Sequence, residues 1–270
     1  MTVFNRLVAY GCSHTAGAET QDEDYVPNSD LLKKQFGWLN FIRKYEDEFN
    51  KDWLAYVNAG KKKSFVQHLA NKLNLPCENR AISGSGVAEQ IYLIEQDLAS
   101  NRITNGDLII IGITGKERLL KFNDQSNPET ILLTHSFTYP DNLKKHQDVF
   151  LSYFDDRIVT FQSLMYYQYF LNLANTRLKN QLYFAFCDSW AMRLEYNHSD
   201  FTELPESFRN SMKRLHSDFC KTALSKFSLY EFANEDGDRL HGGNHVKEIV
   251  HIEFADELYN NLILNFKEFS

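Results

Sequence analysis

The run Asp107-Leu108-Ile109-Ile110-Ile111-Gly112-Ile113 is apolar and β-branched with no polar face. A strand of that kind cannot leave one side in water. It reads as a central strand of a parallel sheet, covered by helices on both faces. Three further short apolar runs, at 7–10, 78–82 and 182–186, read as companion strands. Helical spacing fills the gaps between them. Ser64 is a good N-cap for a helix over 65–73 with Phe65, Leu69 and Leu73 on one face. Ile91, Ile94 and Leu98 mark a helix over 87–98, and long helices are expected over 159–178, 206–227 and 246–266, the last with Ile249, Ile252, Leu258 and Leu262 as its apolar stripe.

Strands alternating with helices imply an α/β fold with a doubly wound parallel sheet. In such a sheet the loops after the strands gather at one edge, which brings Ser13, Gly84, Thr114 and Asp188 together. The 270 residues suit a single domain over 1–270. Two stretches, about 19–63 and 120–157, exceed the minimal alternation and read as insertions, either beside that edge or as peripheral packing. The first is rich in aromatic residues, the second polar and irregular. Lys61-Lys62-Lys63 reads as a solvated loop or helix start.

A net charge of −7 removes the global basic footprint of a nucleic-acid binder. No apolar run approaches the ~20 residues of a membrane-spanning helix. Residues 7–10 are too short for the apolar region of a signal peptide. The chain is therefore expected in the cytosol, or released by a route that uses no signal peptide. The cysteines at 12, 77, 187 and 220 form no close pair, so neither a zinc ribbon nor a redox Cys-x-x-Cys is present. They read as small buried hydrophobes in a reducing compartment.

Candidate chemistry begins at Gly11-Cys12-Ser13-His14, where a glycine and then a hydroxyl follow the first strand. A serine there is ordinarily a turn residue or a helix N-cap. With a histidine-rich segment far downstream, it also fits a nucleophile. Other motifs fail on spacing. A phosphate-binding loop ending at Gly115-Lys116 would need Gly at 110 and Ser or Thr at 117, where Ile110 and Glu117 stand. The Gly-x-Ser-x-Gly elbow fails at Thr15. His241 and His245 are split by Gly242-Gly243 and lack the His-Glu-x-x-His zinc pattern, and His251 reads as structural. No metal or cofactor is expected.

In order along the chain, these residues resemble the four blocks of the SGNH/GDSL hydrolase family. Gly11 and Ser13 match the first block, though Cys12 and His14 replace its Asp and Leu. Asn79-Arg80-Ala81-Ile82-Ser83-Gly84 matches the second. Gly112-Ile113-Thr114 meets the third, with Thr114 in place of Asn. Asp238-Arg239-Leu240-His241-Gly242-Gly243-Asn244-His245 meets the last in two registers. Asp238 and His241 have the Asp-x-x-His spacing. His245 has the better distance to the final helix, with Ala255 ten residues on, and in that register Gly242 takes the Asp position.

The resemblance implies a three-layer α/β/α sandwich with a flavodoxin-like parallel sheet. It implies a serine hydrolase acting on an ester, with Ser13 as nucleophile, His245 as base and Asp238 as candidate carboxylate. Oxyanion donors would come from the Ser13 and Gly84 backbone and from Thr114. The expected substrate is a small-molecule or carbohydrate ester, such as an O-acyl or O-acetyl group. Apart from the resemblance, Arg118, four residues after Thr114, reads either as a holder of an anionic or sugar portion or as a partner in a surface salt bridge. The departures at Cys12, Thr114 and Gly242 leave a second reading, a catalytically reduced carbohydrate-binding or structural module. Acyl transfer to an acceptor other than water is a third.

Overall fold

The computed structural model describes residues 4–17, 20, 50–82, 84–114, 118–122, 128–132, 156–179, 181–187, 204–233, 239 and 245–265. Strands β1 (Arg6–Tyr10), β2 (Cys77–Asn79), β3 (Asp107–Ile113) and β6 (Leu182–Phe186) form a parallel sheet in the order β2-β1-β3-β6. All seven residues of β3 are buried, as its sequence requires. Register pairs Tyr10 with Ile111, and Ile113 with Phe186. The strand order reverses direction between β1 and β3, and ligands in open α/β sheets bind beside that reversal, outside the carboxyl ends.

The pleat divides the core into two. On one face Leu7, Ala9, Leu108, Ile110, Tyr183 and Ala185 pack under α3 (Phe65–Leu73) and α8 (Glu248–Asn265). On the other, Val8, Tyr10, Ile109, Ile111, Phe184 and Phe186 pack under α4 (Val87–Ala99), α5 (Asp156–Asn175) and α6 (Glu206–Cys220). The result is the expected three-layer α/β/α sandwich with a flavodoxin-like strand order. Helix α3 starts where its cap predicts, the Ser64 Oγ accepting from Gln67 N. Among the described residues no helix is long and apolar enough to cross a membrane.

Several boundaries differ from expectation. Strand β2 stops at Asn79, because the Asn79 Oδ1 accepts from Ala81 N and turns the chain out of the ladder. The helix expected to reach residue 227 ends at Cys220. There the backbone turns back to the free edge of β6, where Ala223 bridges Phe184 and Leu224 N donates to Phe184 O at 2.8 Å. A new helix, α7 (Leu229–Phe232), then starts from the Ser228–Glu231 capping box.

Lys61, Lys62 and Lys63 form the last turn of α2 (Asn50–Lys63), neither a loop nor a helix start, where their cations complement the helix dipole. The second insertion contains β5 (Pro128–Leu132), which pairs antiparallel with β4 (Arg118–Phe122) in a hairpin beside α4. In α8 the buried stripe is Val250, Phe254, Leu258 and Leu262. Ile249, expected inside, is 51% exposed, because its register points it away from the sheet.

Candidate active site

Beyond Tyr10 the chain passes through Gly11 and an extended Cys12, and Ser13 opens α1 (Ser13–Ala16). Ser13 is buried, with 7% of its surface exposed. Helix α1 is four residues long and closes at Gly17, whose φ of +69° is left-handed. So short a helix cannot hold its own shape, and tertiary contacts fix it. The side chain of Thr15 wedges between strand ends. A Cβ at Gly11 would stand 2.0 Å from Thr15 Oγ1, and one at Gly112 would stand 1.9 Å from it. Both glycines are thus required by close approach. The same hydroxyl lies 3.2 Å from Cys187 Sγ, so one threonine joins the ends of β1, β3 and β6.

Asn79 holds α1 from the other side. Its Nδ2 donates to Thr15 O at 2.8 Å and to Ser64 Oγ at 3.1 Å, tying the serine turn to the start of α3. The loop after β2 then folds over the end of β1. Ile82 N and Ser85 Oγ both donate to Gly11 O, at 3.0 and 2.8 Å. Between them Gly84 is buried with φ +81°, a conformation that L side chains rarely adopt. Thr114 follows β3 directly and is 3% exposed. Gly84, Ser13 and Thr114 therefore stand at the carboxyl edge of three adjacent strands, at the reversal of strand order.

His245 arrives from the far end of the described chain. Its imidazole centroid lies 5.0 Å from that of His14, with the planes inclined at 48°. The edge of the Tyr230 ring in α7 meets His14 at 6.5 Å and 79°. Lys247 N donates to Arg239 O at 2.9 Å, and Arg239 pairs with Glu253 on α8, so the backbone that carries His245 is held on two sides.

His251 serves elsewhere. Its Nδ1 accepts from Phe65 N at 3.1 Å and its ring stacks on Phe65, so it supplies the acceptor that the start of α3 needs. Asp238, His241, Gly242 and Asp188 lie outside the described residues. Arg118 opens β4 in the hairpin. Cys12 and Cys187 are buried; Cys77 and Cys220 are half-buried. Burial pushes the Cys77 thiol up to about 12 and that of Cys220 up to about 11, which keeps both as unreactive thiols near neutrality. Among the described residues no cluster of three or more His, Cys, Asp or Glu could hold a metal ion.

Behind the site, Tyr10 OH donates to Asp97 Oδ2 at 2.6 Å, and Arg80 Nε meets the same oxygen at 2.6 Å. Burial, then Asp97, raise the Tyr10 phenol far above its ordinary value, so it remains a donor. By sequence alone His14 is only the residue that stands in place of the family's Leu. The signal available was its place one residue after Ser13. The ring it meets, His245, is brought to it only by the fold.

No family model matches the chain, and no curated protein is similar to it in sequence. Among solved structures it is similar to a member of the lipolytic G-D-S-L family from Veillonella parvula DSM 2008, at 12% identity and a TM-score of 0.42, over 97% of this chain and 98% of that one. It is similar to an acetyl xylan esterase from the rumen bacterium Butyrivibrio proteoclasticus, at 12% identity and a TM-score of 0.46, over 98% of this chain and 65% of that one. It is also similar to a catalytic mutant of an acetylxylan esterase from Geobacillus stearothermophilus, at 12% identity and a TM-score of 0.42, over 97% of this chain and 96% of that one.

Proposed function

We propose that this chain is a divergent SGNH-type serine hydrolase that cleaves an ester, with Ser13 as nucleophile and His245 as general base. What supports the reading is one juxtaposition: the His245 ring stands 5.0 Å from the ring of the residue that follows Ser13. A serine hydroxyl is a weak nucleophile until a base takes its proton, and a neutral imidazole suits that task near pH 7. In the reaction, Ser13 Oγ bonds to the ester carbonyl carbon and its proton passes to His245. The carbonyl oxygen becomes an oxyanion. The proton then goes to the departing alcohol, and water releases the acyl group by the reverse sequence.

The oxyanion would be met by the backbone N–H groups of Ser13 and Gly84 and by the Thr114 hydroxyl. Loss of one such donor typically raises a barrier by ~2.7–4 kcal/mol. Threonine reaches less far than the asparagine it replaces, so a slow enzyme is expected. Asp238 is the carboxylate that the family pattern offers to orient the imidazole. The substrate class we assign is an O-acyl or O-acetyl group, on a carbohydrate or another small alcohol.

The deciding experiment is turnover of p-nitrophenyl acetate by the chain and by Ser13→Ala, with fluorophosphonate labelling read by mass spectrometry. Turnover lost in Ser13→Ala, and a label on Ser13 that is lost in His245→Ala, support the reading. Equal rates for the chain and Ser13→Ala would refute it. The replacement of the family asparagine by the buried Thr114 favours a second reading, a binding module that keeps the fold without the reaction. Carbohydrate binding by a chain that neither turns over esters nor takes the label would establish it.

A further inference from the structure

We propose that His14 is the positioning residue for His245, an imidazole in the role that a carboxylate fills in most serine hydrolases. The proposal rests on the reading of Ser13 and His245 as nucleophile and base. The two imidazoles are in ring–ring contact, with centroids 5.0 Å apart and planes at 48°, and a rotation of either ring brings facing nitrogens within hydrogen-bond range. His14 is well placed to orient a partner, because its own backbone is fixed. Thr15, the next residue, is wedged against Gly11 and Gly112 and held through its carbonyl by Asn79. Gly17 N donates to His14 O at 3.2 Å, and the Tyr230 ring stands against the imidazole.

In the reaction His245 takes the Ser13 proton on one ring nitrogen. Its other nitrogen, already protonated, donates to an unprotonated nitrogen of His14. The positive charge formed on His245 is thereby met by a lone pair. When the proton leaves for the departing alcohol, both rings return to neutral and no net proton is gained or lost. A neutral acceptor stabilises an imidazolium less than a carboxylate does. The arrangement therefore goes with a modest rate.

Two substitutions separate orientation from packing. Phe in His14→Phe keeps an aromatic ring against His245 and Tyr230 but has no nitrogen. Gln in His14→Gln loses the ring but keeps a side-chain acceptor. Orientation predicts that kcat for p-nitrophenyl acetate falls at least about tenfold in His14→Phe with KM little changed, and recovers in His14→Gln. A packing role predicts the opposite order, with Phe tolerated and Gln poor, and that result would overturn the proposal. Thermal midpoints within a few degrees of the parent show that either variant is folded.

Loss of turnover in Asp238→Ala with His14→Phe at the parent rate would also overturn it, by returning the role to a carboxylate. Failure of the underlying reading is seen separately, as a parent chain that takes no label at Ser13. That outcome removes this proposal with it.

Discussion

The side-chain amide of Asn79 and the main-chain carbonyl of Thr15 meet at 2.8 Å, joining the strand beside β1 to the four-residue helix that carries Ser13. The same side chain bonds Ser64 Oγ and Ala81 N. Asn79→Ala removes three hydrogen bonds at once, and a loss of about 2–3 kcal/mol is expected in urea unfolding. Asn79→Asp keeps the acceptor for Ala81 N but turns a carboxylate oxygen toward the Thr15 carbonyl. It should be no better than alanine, and both variants should label more slowly at Ser13.

Thr15 sets a second test. Gly112→Ala places a methyl 1.9 Å from Thr15 Oγ1 and should destabilise the chain by at least about 2 kcal/mol. In the double variant with Thr15→Ala the nearest atoms become Cys187 Sγ and Thr15 Cβ, at 3.0 and 3.1 Å. The two changes together should cost less than their sum, as residues in contact do. Strict additivity in thermal unfolding would show that Thr15 is not the obstacle.

Gln90 lies on the inner face of α4, fully buried, and among the described residues neither its amide oxygen nor its amide nitrogen has a hydrogen-bond partner. An orphaned amide in a core costs about 1–3 kcal/mol, and an apolar residue of similar shape avoids that cost. Gln90→Met is expected to raise the thermal midpoint by several degrees. A lowered midpoint would mean that the amide has a partner in solution.

Acid stability turns on Asp107. Burial opposes its ionisation. Arg6, with Nε at 2.9 Å, and Thr104 N at 2.7 Å outweigh that and hold the carboxyl below its ordinary value of 3.8. As pH falls, the unfolded chain takes up this proton first. The stabilisation is therefore present above the ordinary value and fades as pH drops through the lower folded one. Asp107→Asn should be less stable than the parent at pH 7, and its stability should decline less steeply below about pH 4. Urea midpoints across that range measure both.

Much of the frame was legible in the chain because it depends on local patterning. The β3 run has no polar face, and Ser64 is followed at once by helical spacing, so strand and helix start where their residues dictate. The end of α6 was not legible, since it is set by the distant edge of β6, where Ala223 finds its partner. Ile249 looked like core because apolar spacing alone cannot tell which of two adjacent stripes faces the sheet. At the candidate site, the positions of Ser13, Gly84 and Thr114 after strands could be read from the sequence. His14 could not, because its neighbour His245 comes from a segment with which it shares no local pattern.

Helix α8 packs with α3 over one face of the sheet, caps α3 through His251 and is entered directly from His245. On the ribosome it is made after every other described element. A nascent chain that has produced Ser13 and its strands still lacks His245 and the support beneath α3. Until α8 is made and docks, the start of α3 lacks its His251 acceptor and that face of the sheet stays open to water.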